Sequence, residues 1–99
     1  MIQQIASKEI NGIEWIDVSA PTEEDYQTLS DNYDIPQSSI KDCMTPDHLP
    51  KFELLEHFKF VIIRYFDEHH PPNAHSIQSI SNKIAIFFRE GLIITIHRQ

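Results

Sequence analysis

The sequence predicts an α+β domain: a mixed, largely antiparallel sheet flanked by helices. Three observations predict it. Strand-like stretches dominate, two helix-like stretches sit together between a first hairpin and the remaining strands, and tight hairpin connections outnumber long crossovers. At 99 residues the chain reads as one domain, 1–99, and a domain of this size buries roughly 60 to 70% of its unfolded surface. Repeats, low-complexity tracts and interdomain linkers are absent from the sequence.

The elements follow in order. Ile2 to Ile10 and Ile13 to Val18 read as two strands around Asn11-Gly12, a dipeptide that supplies the positive φ angles of a type I′ turn. Ala20-Pro21 stops the second strand. Thr22 can then cap a helix from Glu23 to Tyr33, whose opening Glu23-Glu24-Asp25 suits the positive end of the helix dipole. Tyr26, Leu29 and Tyr33 recur at helical spacing on one face. Ile35, preceding Pro36, is pushed toward extended backbone, so this helix ends there and a short second one runs from Pro36 to about Met44. Within it Ile40 and Met44 are four apart and face the core together, which turns Asp42 about half a turn away, toward solvent or a partner.

Pro46 and Pro50 bracket an extended crossing. Phe52 to Glu56 and Phe58 to Asp67 follow as strands. Phe60-Val61-Ile62-Ile63 is apolar at every position, the pattern of a central strand covered on both faces. Glu68 to His75 reads as a loop by its prolines. Ser76 to Ser81, Ile84 to Arg89 and Leu92 to His97 complete an antiparallel meander, with Glu90-Gly91 at its last turn. Trp15, Phe58, Phe60, Phe66, Phe87 and Phe88 are expected as packing residues. If one sheet face stays uncovered, Ile84 to Phe88 and Leu92 to Ile96 form an adhesive surface.

Composition bounds function. Hydrophobic content of 40% with ten aromatics exceeds that of a disordered chain despite a net charge of −7. Charge is uneven: residues 1–50 hold two lysines against ten acids, a net of −8, whereas residues 51–99 carry +1. An acidic front half repels phosphate backbones and argues against a nucleic-acid partner. Divalent cations suit it better, although most of these acids are expected simply to solvate a surface. The lone Cys43 forms no disulfide framework and fits a reducing compartment. Met1-Ile2-Gln3-Gln4 lacks the basic flank and apolar core of an export signal, so a cytosolic location is expected. The longest unbroken apolar run, Ile84 to Phe88, is far below the roughly 20 residues that cross a bilayer.

Several stretches share an order with a known family. From Ile35 to Asp67 a short helix leads through the corner His48-Leu49-Pro50-Lys51 into an apolar hairpin without an intervening glycine. Before it come Glu14-Trp15-Ile16-Asp17-Val18, Pro21-Thr22 and the helix Glu23 to Tyr33, and the chain closes with Ile94-Thr95-Ile96-His97. Over nearly its whole length the chain resembles the amino-terminal cytoplasmic domain of the CorA family of magnesium channels. The resemblance implies a regulatory domain that senses intracellular magnesium and gates a pore. It implies a homopentamer anchored in the bacterial inner membrane through carboxy-terminal helices absent here, with this domain itself soluble on the cytoplasmic side. It also implies no enzyme and no small-molecule substrate in this domain. The chain is therefore expected to be a piece of a longer protein. A zinc-exporting relative and a stand-alone soluble interaction module without transport are the alternatives.

By the same resemblance, Asp42 matches the aspartate that takes part in a divalent-cation site between neighbouring subunits, with magnesium as the regulatory ion. Magnesium keeps much of its water and is held by one or two carboxylates, so a single aspartate at a subunit edge suffices when the neighbour supplies the rest. On residue type alone Asp42 is equally a solvated helix carboxylate. Two positions depart from the family pattern: Lys41 stands where an acid is frequent, and Leu49 replaces the arginine of the usual Arg-Pro-Lys corner. Lys41 is expected to lower cation affinity or to signal that gating uses another contact.

The residues raise two other chemistries. His69, His70 and His75 share one loop and imidazole binds transition metals, but no zinc-finger-like ligand pair is present, and a polar loop is expected instead. Cys43, His48 and Asp47 could supply a nucleophile and a base, yet closeness in sequence is not the geometry of a triad. Cys43 is expected to pack as a small hydrophobe. With only Gly12 and Gly91, a glycine-rich phosphate loop cannot be built.

Overall fold

The computed structural model describes residues 1–66, 68, 72, 73 and 81–98, apart from the Asn11 side chain. The strands are β1 (Ile2–Ala6), β2 (Glu14–Ser19), β3 (Lys51–Leu54), β4 (Lys59–Phe66), β5 (Ser81–Arg89) and β6 (Leu92–His97); the helices are α1 (Lys8–Asn11), α2 (Glu23–Tyr33) and α3 (Gln37–Met44). Among the described residues the strands form one six-stranded sheet in the order β1-β2-β6-β5-β4-β3. Only β2 and β6 run parallel; the other neighbours are antiparallel. The expected α+β class is present, and β5 and β6 form the last hairpin of the expected meander, but β5 begins at Ser81 and its other partner is β4 rather than a strand from Ser76 to Ser81. Of the expected strand from Ser76 to Ser81, residues 76–80 lie outside the described residues, as do Asp67, His69, His70 and His75.

The first hairpin pairs as expected, but a type I′ turn does not join it. Ser7 accepts a hydrogen bond from the Glu9 amide and starts the short helix α1. Gly12 ends it at φ 76°, with its amide on Lys8 O. A serine N-cap and a left-handed glycine C-cap satisfy one helical turn locally, and that outweighs the turn preference of Asn-Gly. A register shift between Gln4 and Ala6 then lets β1 meet β2.

Helix α2 begins where the sequence places it. Thr22 Oγ1 accepts from the Asp25 amide while Asp25 accepts from the Thr22 amide, a reciprocal capping box. Tyr26 and Leu29 are buried and Tyr33 packs against the core edge. Burial pushes the Tyr26 hydroxyl well above its ordinary range. Asp34 in the left-handed region ends α2, and Pro36, extended, precedes α3 rather than opening it.

One face of the sheet holds the core. Ile16 and Val18 of β2, Phe60 and Ile62 of β4, Ala85 and Phe87 of β5, and Leu92, Ile94 and Ile96 of β6 join Leu29, Ile35, Ile40 and Cys43 in one cluster. Phe60 and Phe87 stack with centroids 4.3 Å apart, and Phe58 meets Phe87 edge-on at 6.1 Å. Each such fully buried side chain stabilises the fold by about 2 kcal/mol relative to exposure.

The opposite face corrects three expectations. Val61 and Ile63 alternate with the buried Phe60 and Ile62, and Ile63 is 42% exposed, so β4 is covered on one face rather than two. Trp15 is 39% exposed on that open face instead of in the core. Phe88 is only partly buried there, whereas Phe66, which shares the parity of Phe60 and Ile62, is exposed at the end of β4 beyond the cluster. For β4, Trp15 and Phe88 the cause is common: both longer helices bury their residues in the cluster on the other face of the sheet.

Helix α3 is also rotated from expectation. Ser39, Ile40 and Cys43 are buried, whereas Met44 is 50% exposed. The inward stripe is centred between positions 39/40 and 43, and the ammonium of Lys83 fixes it there by holding the carbonyls of Asp42, Cys43 and Thr45 at 3.1, 2.7 and 2.6 Å.

Candidate functional site

Two cations reaching out from the sheet build the corner that carries Asp42. Lys83 of β5 takes up the last carbonyls of α3, a favourable place for a positive charge at a helix C-terminus. Burial lowers the Lys83 pKa. Arg64 of β4 donates to Pro46 O and His48 O, each at 3.0 Å, and to Ser81 Oγ at 2.8 Å. The crossing from Thr45 to Pro50 is therefore held by side chains rather than by regular pairing. Neither cation was singled out from sequence, where an isolated Lys or Arg within a strand gives no sign of its distant acceptors.

On this frame Asp42 sits half-buried at the flank of α3. Its Oδ2 is hydrogen-bonded by the ammonium of Lys51, the first residue of β3. The same ammonium lies 3.5 Å from Glu53 Oε1 and 5.2 Å from the Phe60 ring centroid. Its hydrogen bond to Asp42 raises the Lys51 pKa, against a smaller opposing effect of burial. His48 donates from Nδ1 to Leu49 O at 2.8 Å and brings Nε2 to 3.4 Å from Asp42 Oδ1. Asp42 thus faces out of the core, as its helix position predicts, but toward an internal ammonium rather than open water. Lys41 is exposed beside it.

The residues considered for nucleophilic chemistry are not arranged for it. Cys43 is buried and its thiol is pushed up to about 12 by burial, while the His48 ring is turned to Leu49 O and Asp42. Among the described residues no three His, Cys, Asp or Glu side chains gather as a metal-binding group. His69, His70 and His75 lie outside the described residues.

A second polar cluster occupies the open sheet face. Trp15 Nε1 donates to Thr95 Oγ1 at 3.0 Å, Thr95 donates to Asp17 Oδ1 at 2.6 Å, and His97 Nε2 lies 2.9 Å from both Asp17 oxygens. His97 Nδ1 is buried without a hydrogen-bond partner. The signal in the sequence was parity: positions 15, 17, 95 and 97 alternate with the buried 16, 18, 94 and 96, but the parallel register that joins them was not legible. A cavity of about 570 Å³ opens between the start of α2 and the ends of β4 and β5, where it is bordered by Arg64, Lys83, Arg98 and Glu23.

Comparison with known proteins places this geometry. The model of the family described as CorA-like Mg2+ transporter protein matches residues 11–99. The chain belongs to that CorA-like family. A candidate metal ion transporter of Schizosaccharomyces pombe is 33% identical over 86 residues, which is 87% of this chain and 14% of that protein. The soluble domain of CorA from Methanocaldococcus jannaschii superposes with a TM-score of 0.67 at 23% identity, over 95% of this chain and 35% of that one. The ZntB cytoplasmic domain from Vibrio parahaemolyticus gives 0.65 at 18% identity, over 87% of this chain and 34% of that one. At these identities the solved structures establish the fold. The CorA-like chain thus spans well under half of each relative. Within this CorA-like fold, Asp42 stands on the short helix α3 and Lys51 at the start of β3, after Pro50.

Proposed function

We propose that this chain is the cytoplasmic regulatory domain of a CorA-like divalent-cation channel, a homopentamer whose pore lies in carboxy-terminal membrane helices. The observation that supports it most is the family match across residues 11–99. No described helix is long and apolar enough to cross a membrane, so the pore belongs to other segments of such a protein.

In this reading Asp42 is the chain's contribution to a magnesium site shared with a neighbouring subunit. A half-exposed carboxylate on a clamped helix end suits a hydrated ion that needs only one or two carboxylates. Magnesium would supply the charge that holds two acidic edges together. Because the ion binds the closed arrangement more tightly than the open one, it shifts the population between them, and its loss releases the pore.

The test uses the complete protein in proteoliposomes. Asp42→Ala is expected to relax magnesium-dependent closure and to weaken the protection that magnesium gives against limited proteolysis. Unchanged protection refutes the regulatory role. Extending the open reading frame addresses the class: a long helix and two apolar spans with Gly-Met-Asn between them fit a channel, and termination without them fits a soluble interaction module.

A further inference from the structure

The carboxylate proposed to receive magnesium already holds a cation. Strand register explains why. Lys51 and Glu53 pair with Ile62 and Phe60, whose side chains belong to the core, so both are presented on the helix side of the sheet beneath α3. The Lys51 ammonium is then placed by the Asp42 carboxylate, Glu53 Oε1 at 3.5 Å and the Phe60 ring face at 5.2 Å. Both anchors are fixed: Lys83 clamps the end of α3, and β3 is hydrogen-bonded to β4. A lysine whose backbone and aromatic support are already ordered loses little freedom by staying with the carboxylate. The notch consists of two carboxylates around one tethered ammonium, which occupies the side of Asp42 that faces Glu53.

We infer that Lys51 is the resident counter-cation of Asp42, and that a divalent cation gains Oδ2 of this carboxylate only by displacing the lysine ammonium. The inference rests on the reading of Asp42 as a regulatory ligand and adds its control. The domain carries its own competitor, so the site stays weak while Lys51 is in place. Exchange takes one positive charge out of the notch and puts two in, which leaves Asp42 and Glu53 balanced and Lys51 free to move. Lys41, next along the chain, adds repulsion but has no such placement.

The test is manganese titration of the chain followed by NMR, since paramagnetic broadening locates a weakly bound divalent ion. Amides of α3 near Asp42 are expected to broaden in the wild type at high manganese. They should broaden at roughly tenfold lower concentration in Lys51→Met, where a unit positive charge has been removed from contact with the ligand. Lys51→Arg keeps the charge and should behave as wild type; a retained amide spectrum in each variant establishes the fold. Asp42→Asn placed on Lys51→Met should abolish the local broadening. Equal concentration dependence in wild type and Lys51→Met, both lost with Asp42→Asn, overturns the competitor role and leaves Asp42 as a ligand. Absence of any Asp42-dependent broadening in either protein overturns the competitor role, and the proteolysis assay of the complete protein then decides the regulatory reading separately.

Discussion

His97 and Asp17 are joined across the one parallel strand pair of the sheet, with the imidazole Nε2 2.9 Å from each carboxylate oxygen. Asp17 also accepts from Thr95, which in turn accepts from Trp15. The cluster ties β2 to β6, the one pair of neighbours among the described strands that the chain order joins by a crossover rather than a hairpin. Asp17→Asn keeps the shape but removes the charge that strengthens these bonds. It should cost about 1 to 2 kcal/mol in a urea melt, and Thr95→Val about 1 kcal/mol. No loss in either variant would show that the network is incidental to stability.

Lys83 contributes differently, by closing a helix end. Three carbonyls at the end of α3 converge on its ammonium. Lys83→Met should destabilise the domain by about 2 kcal/mol, since hydrogen bonds to a charged group are lost and carbonyls lose their donor. Amides from Asp42 to Thr45 should lose hydrogen-exchange protection before the sheet does. Uniform loss across the domain would argue against a local clamp.

The pair Lys51–Asp42 predicts an alkaline limit. The folded-state pKa of Lys51 is raised, chiefly by its hydrogen bond to Asp42. Folding therefore favours the protonated lysine. The contribution is fully present below the unfolded lysine value of about 10.4 and is lost as pH rises through the higher folded value. The stability difference between wild type and Lys51→Met, about 1 kcal/mol or less for such a partly exposed pair, should be constant from pH 8 to 10 and fade above that. A difference that fades near neutrality would assign it to another group.

The open sheet face predicts association. Trp15 and Ile63 are exposed there, next to the partly buried Ile84, Ile86, Phe88 and Ile93. An apolar face of this kind is expected to drive self-association of the 99-residue chain, with sedimentation becoming concentration-dependent. Ile63→Lys on this face should shift the equilibrium toward monomer. A wild-type chain that sediments as a monomer at high concentration removes this expectation.

Local chemistry made much of the fold readable. Thr22 and Asp25 announced the start of α2, Pro36 marked the break before α3, and Gly91 the last turn. These signals act over a few residues, so they survive without knowledge of the rest of the chain. Where two local signals competed, as Ser7 did with Asn11-Gly12, pattern reading chose the wrong connection because the cap energies that decide it are small and similar. Asp42 was legible as a candidate only through the order of motifs around it.

Apart from α1, the types of the described strands and helices and their order were therefore determined along the chain, by capping, turn chemistry and alternation, and the family by the order of its motifs. The inward face of α2 was legible as well, but tertiary structure alone decided how α3 was turned and which sheet face stayed open. It rotated α3 so that Cys43 rather than Met44 turned inward, and it left Trp15 on an uncovered face. It also decided what Asp42 touches: Lys51 is nine residues away in sequence and Lys83 is on another strand, yet both meet α3 at one corner. Burial and ion pairing depend on distances that only the closed sheet creates, whereas a helix cap or a tight turn is complete within a few residues.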